Sequence, residues 1–412
     1  MTGSRLRIAV LCPHFAPDTA PTGHVMTRIV AELVDLGHEV HVVTSLPWYR
    51  AHSVESGWEA RWFRREVTEW GSITRVNPFS GGDRKNLARR AAGFVAFSAI
   101  AGVASLRGGR VDAVITMSPP LTMGLTGWMT HLVRRGPLVF NIQDVFPDAA
   151  VETGAITNRS VISAARWLER VSYNRAAAVT VLSNDLRENV AAKLEPAKRS
   201  CVRVIPNFVD TEAIRPGDRM TTFRRELGIA DETVVMYAGN VGYSQSLEMV
   251  VDAAKMLPSL VFVINGDGAA LTSLKERAAG LANVRFSGYQ PADRLAEVLA
   301  TADVHLVPLK AGLGRVSVPS KTYSILAAGR PVLAAIDAGT EVPRILKESG
   351  AGVCVPPDDA VEFVAAVRAM AGDDEGRAQM SRAGRLWVEH AASPRAVAEA
   401  YADLIIELNG RS

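Results

Sequence analysis

Residues 233–257, TVVMYAGNVGYSQSLEMVVDAAKML, decide how the chain folds. The apolar run from Val234 stops at Gly239, and Asn240, Val241, Gly242 and Tyr243 make a tight turn. A helix follows, starting near Ser244 or Ser246, with Leu247, Val250, Val251, Ala254 and Leu257 on one face. Strand, glycine turn and amphipathic helix are the parts of a βαβ unit. Two glycines let the backbone come close to a ligand, and the free N–H groups of a helix start suit a phosphate. The spacing is GxxG, not GxGxxG, and no neighbouring Lys completes a P-loop. Taken alone, the turn favours a plain strand-to-helix connection that uses glycine for its geometry.

The same rhythm extends in both directions. LVFVINGDG (260–268) ends a second strand on Gly266-Asp267-Gly268, beside the first turn on one sheet edge. Further short apolar strands fall at 283–290, 303–309, 330–337 and 351–357. The first half repeats the pattern at 7–12, 38–45, 111–118, 137–144 and 177–184. Its first helix places Val25, Ile29, Leu33 and Leu36 on one face and stops at Gly37. The turn-rich segment 202–218, with Pro206, Asn207, Pro216 and Gly217, reads as a boundary. The expectation is α/β: two Rossmann-like, doubly wound parallel-sheet domains, 1–200 and 201–393, facing across a cleft. Ligands bind at the carboxyl ends of such strands.

Length and composition agree. A chain of 412 residues exceeds one core, and 48% hydrophobic with 22% charged residues excludes a disordered or fibrous protein. A net charge of +3 does not suit a nucleic-acid partner. Cys12, Cys201 and Cys354 are isolated, which fits a reducing compartment and offers no metal motif. The N-terminus reads as a first strand and not a signal peptide, and the apolar run 91–106 is too short to span a bilayer.

Several residues stand out. In VPSKTYSILAAGRPVLA (318–334), Pro319 and Ser320 open a helix with Ser320 as N-cap, and Lys321 falls in its first turn. A cation is out of place there unless a ligand supplies negative charge. Lys321 is either a diphosphate clamp or a solvated surface lysine. Gly23 and His24 open the first helix. Gln143 and Asp144 end a strand in FNIQDVFPDAAVETG (140–154), where Asp148 and Glu152 also invite a general-base or metal reading. No HxxxH or strand-end DxD supports a metal. Segment 83–110 carries Arg84, Lys85, Arg89, Arg90, Arg107 and Arg110 around an apolar helix. It is either a membrane-interface helix or a buried cover helix with charged ends.

Together these motifs resemble the GT-B glycosyltransferases, close to family 4, over nearly the whole chain. The resemblance rests on the Gly23 loop with VAELVDLGHEVHVVT, on VIPNFVD, on MYAGNVGYSQSLEMVVDAA, on GDG and on VPSKTYSILAAGRPVLA. It is nearest to bacterial exopolysaccharide and O-antigen enzymes of the colanic-acid or fucosamine-transferase type. It implies a nucleotide-sugar donor, a UDP-sugar favoured, bound by the C-terminal domain at Gly239, Asn240, Gly242, Tyr243, Gln245, Gly266, Asp267, Gly268, Pro319, Ser320 and Lys321. Family members carry an Arg and a Lys where this chain has Asn240 and Gln245, so Lys321 supplies the charge here. A Glu-x7-Glu pair of the family is replaced by Val316 and Ser324, with Glu341 as a partial substitute. The resemblance further implies retention of configuration, catalysis by Lys321, Asp144 and His24, and an acceptor side at Gly23, His24, Gln143 and Asp144. No metal and no cofactor are expected. The acceptor is a lipid-linked or other saccharide in cell-surface polysaccharide synthesis, at the cytoplasmic face of the inner membrane through 83–110. The tail, 394–412, crosses back onto the first domain. A nucleotide-sugar 2-epimerase of the same fold and a non-catalytic sugar-nucleotide-binding partner at the membrane are the alternatives.

Overall fold

A computed structural model describes residues 5–50, 53–58, 62–78, 87–148, 156, 158–314 and 319–410. Val316, Arg84, Lys85 and Glu152 lie outside the described residues. The chain divides into two compact units, residues 1–207 with 394–412 and residues 208–393. The division falls after Asn207 and not after residue 200, because Val202–Val204 pairs with Ala178–Val181 and so completes the first sheet.

The first unit holds β1 (Arg7–Leu11), β2 (Glu39–Ser45), β3 (Phe63–Thr68), β4 (Gly71–Val76), β5 (Ala113–Ser118), β6 (Leu138–Ile142), β7 (Ala178–Val181) and β8 (Val202–Val204). They form one eight-stranded sheet in the order β3-β4-β2-β1-β5-β6-β7-β8. Every pair is parallel except β3–β4. That edge hairpin is absent from the sequence reading. β3 alternates between exposed and half-buried residues, as an edge strand does, so no continuous apolar run marks it. β1 from Ile8 onward and all of β5 are buried, by contrast, and their sequences are mostly apolar because helices cover both faces.

The second unit holds β9 (Val234–Ala238), β10 (Val261–Asn265), β11 (Val284–Ser287), β12 (Val304–Pro308), β13 (Val332–Ala335) and β14 (Gly352–Val355), ordered β11-β10-β9-β12-β13-β14 and wholly parallel. Strand order reverses beside β9, so the turn at Gly239 opens at the switch point where ligands bind in such sheets.

Helix Leu247–Met256 buries Leu247, Val250, Val251 and Ala254, with Leu257 just beyond it, as the periodicity predicts. Helix Pro21–Asp35 starts on a proline, so Gly23 and His24 lie inside its first turn. Its buried stripe is Met26, Ile29, Val30 and Leu33. Val25 and Leu36 are only half-buried, because the covered face is rotated by one position from the expected one. Helix Pro394–Asn409 packs on helix Pro21–Asp35 within the first unit. No helix among the described residues is long and apolar enough to cross a membrane.

Candidate functional site

The second unit carries a cavity of about 440 Å³ at the carboxyl ends of β9 and β12. That size is typical of small-ligand sites. Gly239, Asn240, Gln245, Pro319, Ser320 and Lys321 line it, all named from the sequence. Ser324 lines it too, on the next turn of helix Lys321–Ala327.

The Lys321 side chain is half-buried at the cavity wall and is not a free surface lysine. Its Nζ lies 3.7 Å from the centroid of the Tyr237 ring, which is fully buried. A Cβ on Gly239 would sit 2.7 Å from Lys321 Nζ, so the glycine leaves the room that the ammonium occupies. Gly239 also has φ +143, which side chains rarely adopt. Burial pushes the Lys321 amine down from 10.5 to about 7. Among the described residues Lys321 has no carboxylate partner, and the cavity lining contains no Asp or Glu. A half-buried ammonium beside the side chains of Asn240, Gln245 and Ser320 fits an anion.

The neighbouring turn supports this one through backbone. Gly239 N donates to Asn265 O at 2.9 Å, Val241 N to Asp267 O at 2.9 Å and Ala270 N to Val241 O at 3.0 Å. A Cβ at Gly266 would lie 1.8 Å from Gly239 O, and one at Gly268 would lie 2.4 Å from Val241 O. Gly266 and Gly268 therefore let two strand-to-helix turns interlock. Asp267 is exposed, and its carboxylate accepts from Gly268 N at 2.7 Å. Gly242 N donates to the Gln245 side chain at 3.0 Å, which closes the first turn on itself.

Other expected residues lie elsewhere. Tyr243 is 60% exposed and donates to Ala269 O, away from the cavity lining. Glu341 starts helix Glu341–Ser349 and faces Arg344 at 3.8 Å; it does not line the cavity. Ser320 holds the N-cap position but has helical φ and ψ, and its side chain caps nothing. Ser246 precedes helix Leu247–Met256 and bonds Asp358 instead of capping. The sequence reading missed Tyr237, on β9 itself, and Tyr289 and Val307–Leu309, which come to the cavity from other strand ends.

In the first unit, Gln143 is buried inside a chain of bonds. Its amide donates to Asn141 Oδ1 at 2.8 Å and accepts from Asn207 at 3.0 Å. Asn141 donates in turn to the Tyr401 hydroxyl at 2.7 Å, which locks the tail helix in place. Asp144 is exposed beyond β6, while Asp148 pairs with Lys193 at 2.6 Å. His24 is exposed, and Gly23 is buried against His14. The region expected at 83–110 forms helix Leu87–Ser105, which covers the sheet with Phe97 and Ala101 and exposes Val95, Ile100 and Val103. Packed in series with it, helix Met123–Arg134 exposes Met129, Leu132 and Val133, and helix Arg159–Arg175 exposes Trp167. Arg107, Arg135, Arg166 and Arg170 are exposed around these residues. The single acid in the three helices, Glu169, is buried and paired with Lys193.

Two doubly wound parallel-sheet units, the second with a cavity at its switch point, fit a GT-B architecture, and the chain belongs to the GT-B glycosyltransferases. Residues 22–207 match the glycosyl transferase 4-like domain and residues 232–373 the glycosyl transferases group 1 domain. The chain is 28% identical over 378 residues to the putative colanic acid biosynthesis glycosyl transferase WcaI of Escherichia coli K12, covering 88% of this chain and 91% of that protein. Sucrose-phosphate synthase from Thermosynechococcus elongatus superimposes with a TM-score of 0.68 at 18% identity, over 99% of this chain and all of that one. Anabaena HepE, solved in complex with UDP, superimposes with a TM-score of 0.65 at 14% identity, over 98% of this chain and all of that one. The protein is a glycosyltransferase.

Proposed function

We propose that the chain moves a sugar, with retention of configuration, from a nucleoside diphosphate sugar to a lipid-linked or other saccharide acceptor. The observation that carries this reading is Lys321, a half-buried ammonium against Gly239 in a cavity without carboxylates. The diphosphate lies against Lys321 and Asn240 of the Gly239–Gly242 turn, where negative charge develops as the sugar leaves. The lysine supplies that stabilisation without a metal or cofactor, because the cavity lining offers a divalent cation no anionic ligand. A uracil base is favoured, supported by the UDP complex of the similarly folded HepE.

We further propose that the three arginine-bordered helices rest on the inner face of the cell membrane. Their apolar residues enter the headgroup boundary, and each nearby arginine adds roughly 1 kcal/mol with anionic lipid. Flotation with phosphatidylglycerol vesicles, but not with phosphatidylcholine vesicles, is the expected result.

The decisive experiment is a thermal-shift panel of UDP, GDP, dTDP and their sugars. A ligand at 100 times its Kd stabilises by about 2.7 kcal/mol. A shift with one base, followed by turnover of its sugar, supports the reading. No shift with any nucleotide overturns it.

A further inference from the structure

The loop that follows β1 carries a histidine which the reading above does not use. His14 Nδ1 lies 2.7 Å from Asp18 Oδ2, and the Asp18 side chain is fully enclosed. The other carboxylate oxygen accepts from Tyr49 N at 3.2 Å, so Asp18 is fixed from two sides. A carboxylate in this position takes the Nδ1–H of a neutral imidazole and leaves the lone pair on Nε2. Among the described residues Nε2 has no partner, and it is not among the polar atoms sealed away from solvent. A merely structural histidine looks different. His41, in the same sheet, has Nδ1 on Ser72 and Nε2 on Glu39.

The surroundings of His14 are built to hold it still. Its ring stacks on Trp48 at 5.4 Å with 28° between planes and meets Tyr49 edge-on at 5.5 Å. Ser45 Oγ donates to Pro13 O at 2.6 Å, Arg75 to Ala16 O at 2.6 Å, and Ala16 N to Thr27 at 2.9 Å. A Cβ at Gly23 would lie 2.8 Å from His14 Cβ, so the glycine makes the space for the histidine. Trp48 is half-buried and Tyr49 is 40% exposed, which leaves aromatic surface open beside the imidazole. The group sits just past the carboxyl ends of β1 and β2, neighbours in the sheet.

We propose that this is a saccharide subsite, in which His14 Nε2 accepts a hydrogen bond from an acceptor hydroxyl while Trp48 and Tyr49 pack the apolar face of the sugar ring. Aromatic surface next to a fixed acceptor matches a pyranose, with C–H groups on one face and hydroxyls at the rim. The subsite deepens the transfer reading and rests on it for its role, since it takes the acceptor and not the donor.

The test uses the full chain labelled with 15N-histidine. It is titrated with methyl and octyl β-glucoside, β-galactoside and α-mannoside, and UDP is titrated separately by thermal shift. The ring signal of His14, identified by its loss in His14→Gln, is expected to move with at least one glycoside. His14→Phe keeps the ring packing and removes the acceptor atom. It is expected to bind that glycoside about tenfold more weakly and UDP unchanged. A folded His14→Phe that binds the glycoside as well as the parent overturns the subsite, as does a His14 signal that no glycoside moves. These results are separable from failure of the transfer reading. If UDP binds while the glycosides leave His14 still, the subsite falls alone. If no nucleotide binds, the transfer reading falls, and movement of His14 by a glycoside still supports a saccharide site.

Discussion

The first loops of the two units solve the same problem by different means. In the second unit the turn after β9 is short, and its shape is fixed by glycine and by backbone bonds to the next turn. In the first unit the loop after β1 runs to Pro21 and is fixed by side chains, with Ser45, Thr27, Arg75 and Asp18 each tying down a different point. A backbone-built turn with its N–H groups spent on its own shape leaves the room for the Lys321 ammonium, which suits a phosphate of any nucleotide. A side-chain-built loop presents an oriented imidazole and aromatic faces, which suit a particular pattern of hydroxyls. On the proposed reading, the donor end is the generic one and the acceptor end the specific one.

The largest effect should come from breaking the backbone contact. Gly266→Ala places a methyl 1.8 Å from Gly239 O at φ +145. Neither backbone can yield without moving both turns. The expected cost is at least about 4 kcal/mol in denaturant unfolding, the exceptional end for one substitution. A variant as stable as the parent would show that the two turns are not interlocked.

Lys321 comes next, and its two effects should have opposite signs. Lys321→Met removes a buried charge that has no acidic partner, so the free protein is expected to melt at a higher temperature. UDP affinity should fall by roughly 2–5 kcal/mol, because the ligand's charge is left without its partner. Proton linkage sharpens the point. The folded amine titrates near 7 and the unfolded one near 10.5, so between these values the unfolded chain binds more protons. Stability of the parent should therefore rise as pH climbs from 7 to 10.5, with the full penalty present below 7. UDP binding needs the charged form, so its affinity should decline about tenfold per pH unit above 7. Both slopes should vanish in Lys321→Met, as measured by melting and calorimetry across pH.

The asymmetry between the loops also explains what the sequence makes visible. The Gly239–Gly242 turn and Lys321 are signalled locally, by glycine at a strand end and a cation at a helix start. Tyr289 and Val307–Leu309 reach the same cavity from distant strand ends, and no spacing connects them to Gly239. Gln143 reads as an outward strand-end group, yet the tail helix brings Tyr401 to Asn141 and the amide is absorbed into that network. His14 and Asp18 are four residues apart in a loop, where that interval carries no periodic meaning. The parallel strands were legible because burial on both faces makes them continuously apolar. In the edge hairpin, β3 was not, since one of its faces meets water, and β4 was not, since Ser72, Thr74 and Arg75 break its apolar run although they are buried.

The smallest expected effect joins the two halves of the comparison. Gly23 lies in a helix with ordinary backbone angles, so alanine there meets no conformational objection and is a better helix former. Its methyl, however, meets His14 Cβ at 2.8 Å and the His14 carbonyl carbon at 3.2 Å. The loop must shift, and the overpacking is expected to outweigh the helix gain, for a net loss of about 1 kcal/mol in thermal unfolding. Because the disturbance stays in the first unit, UDP affinity should not change, while the His14 ring signal and its response to glycosides should. A Gly23→Ala protein that lost UDP binding but kept the His14 signal would reverse the assignment of donor and acceptor chemistry to the two loops.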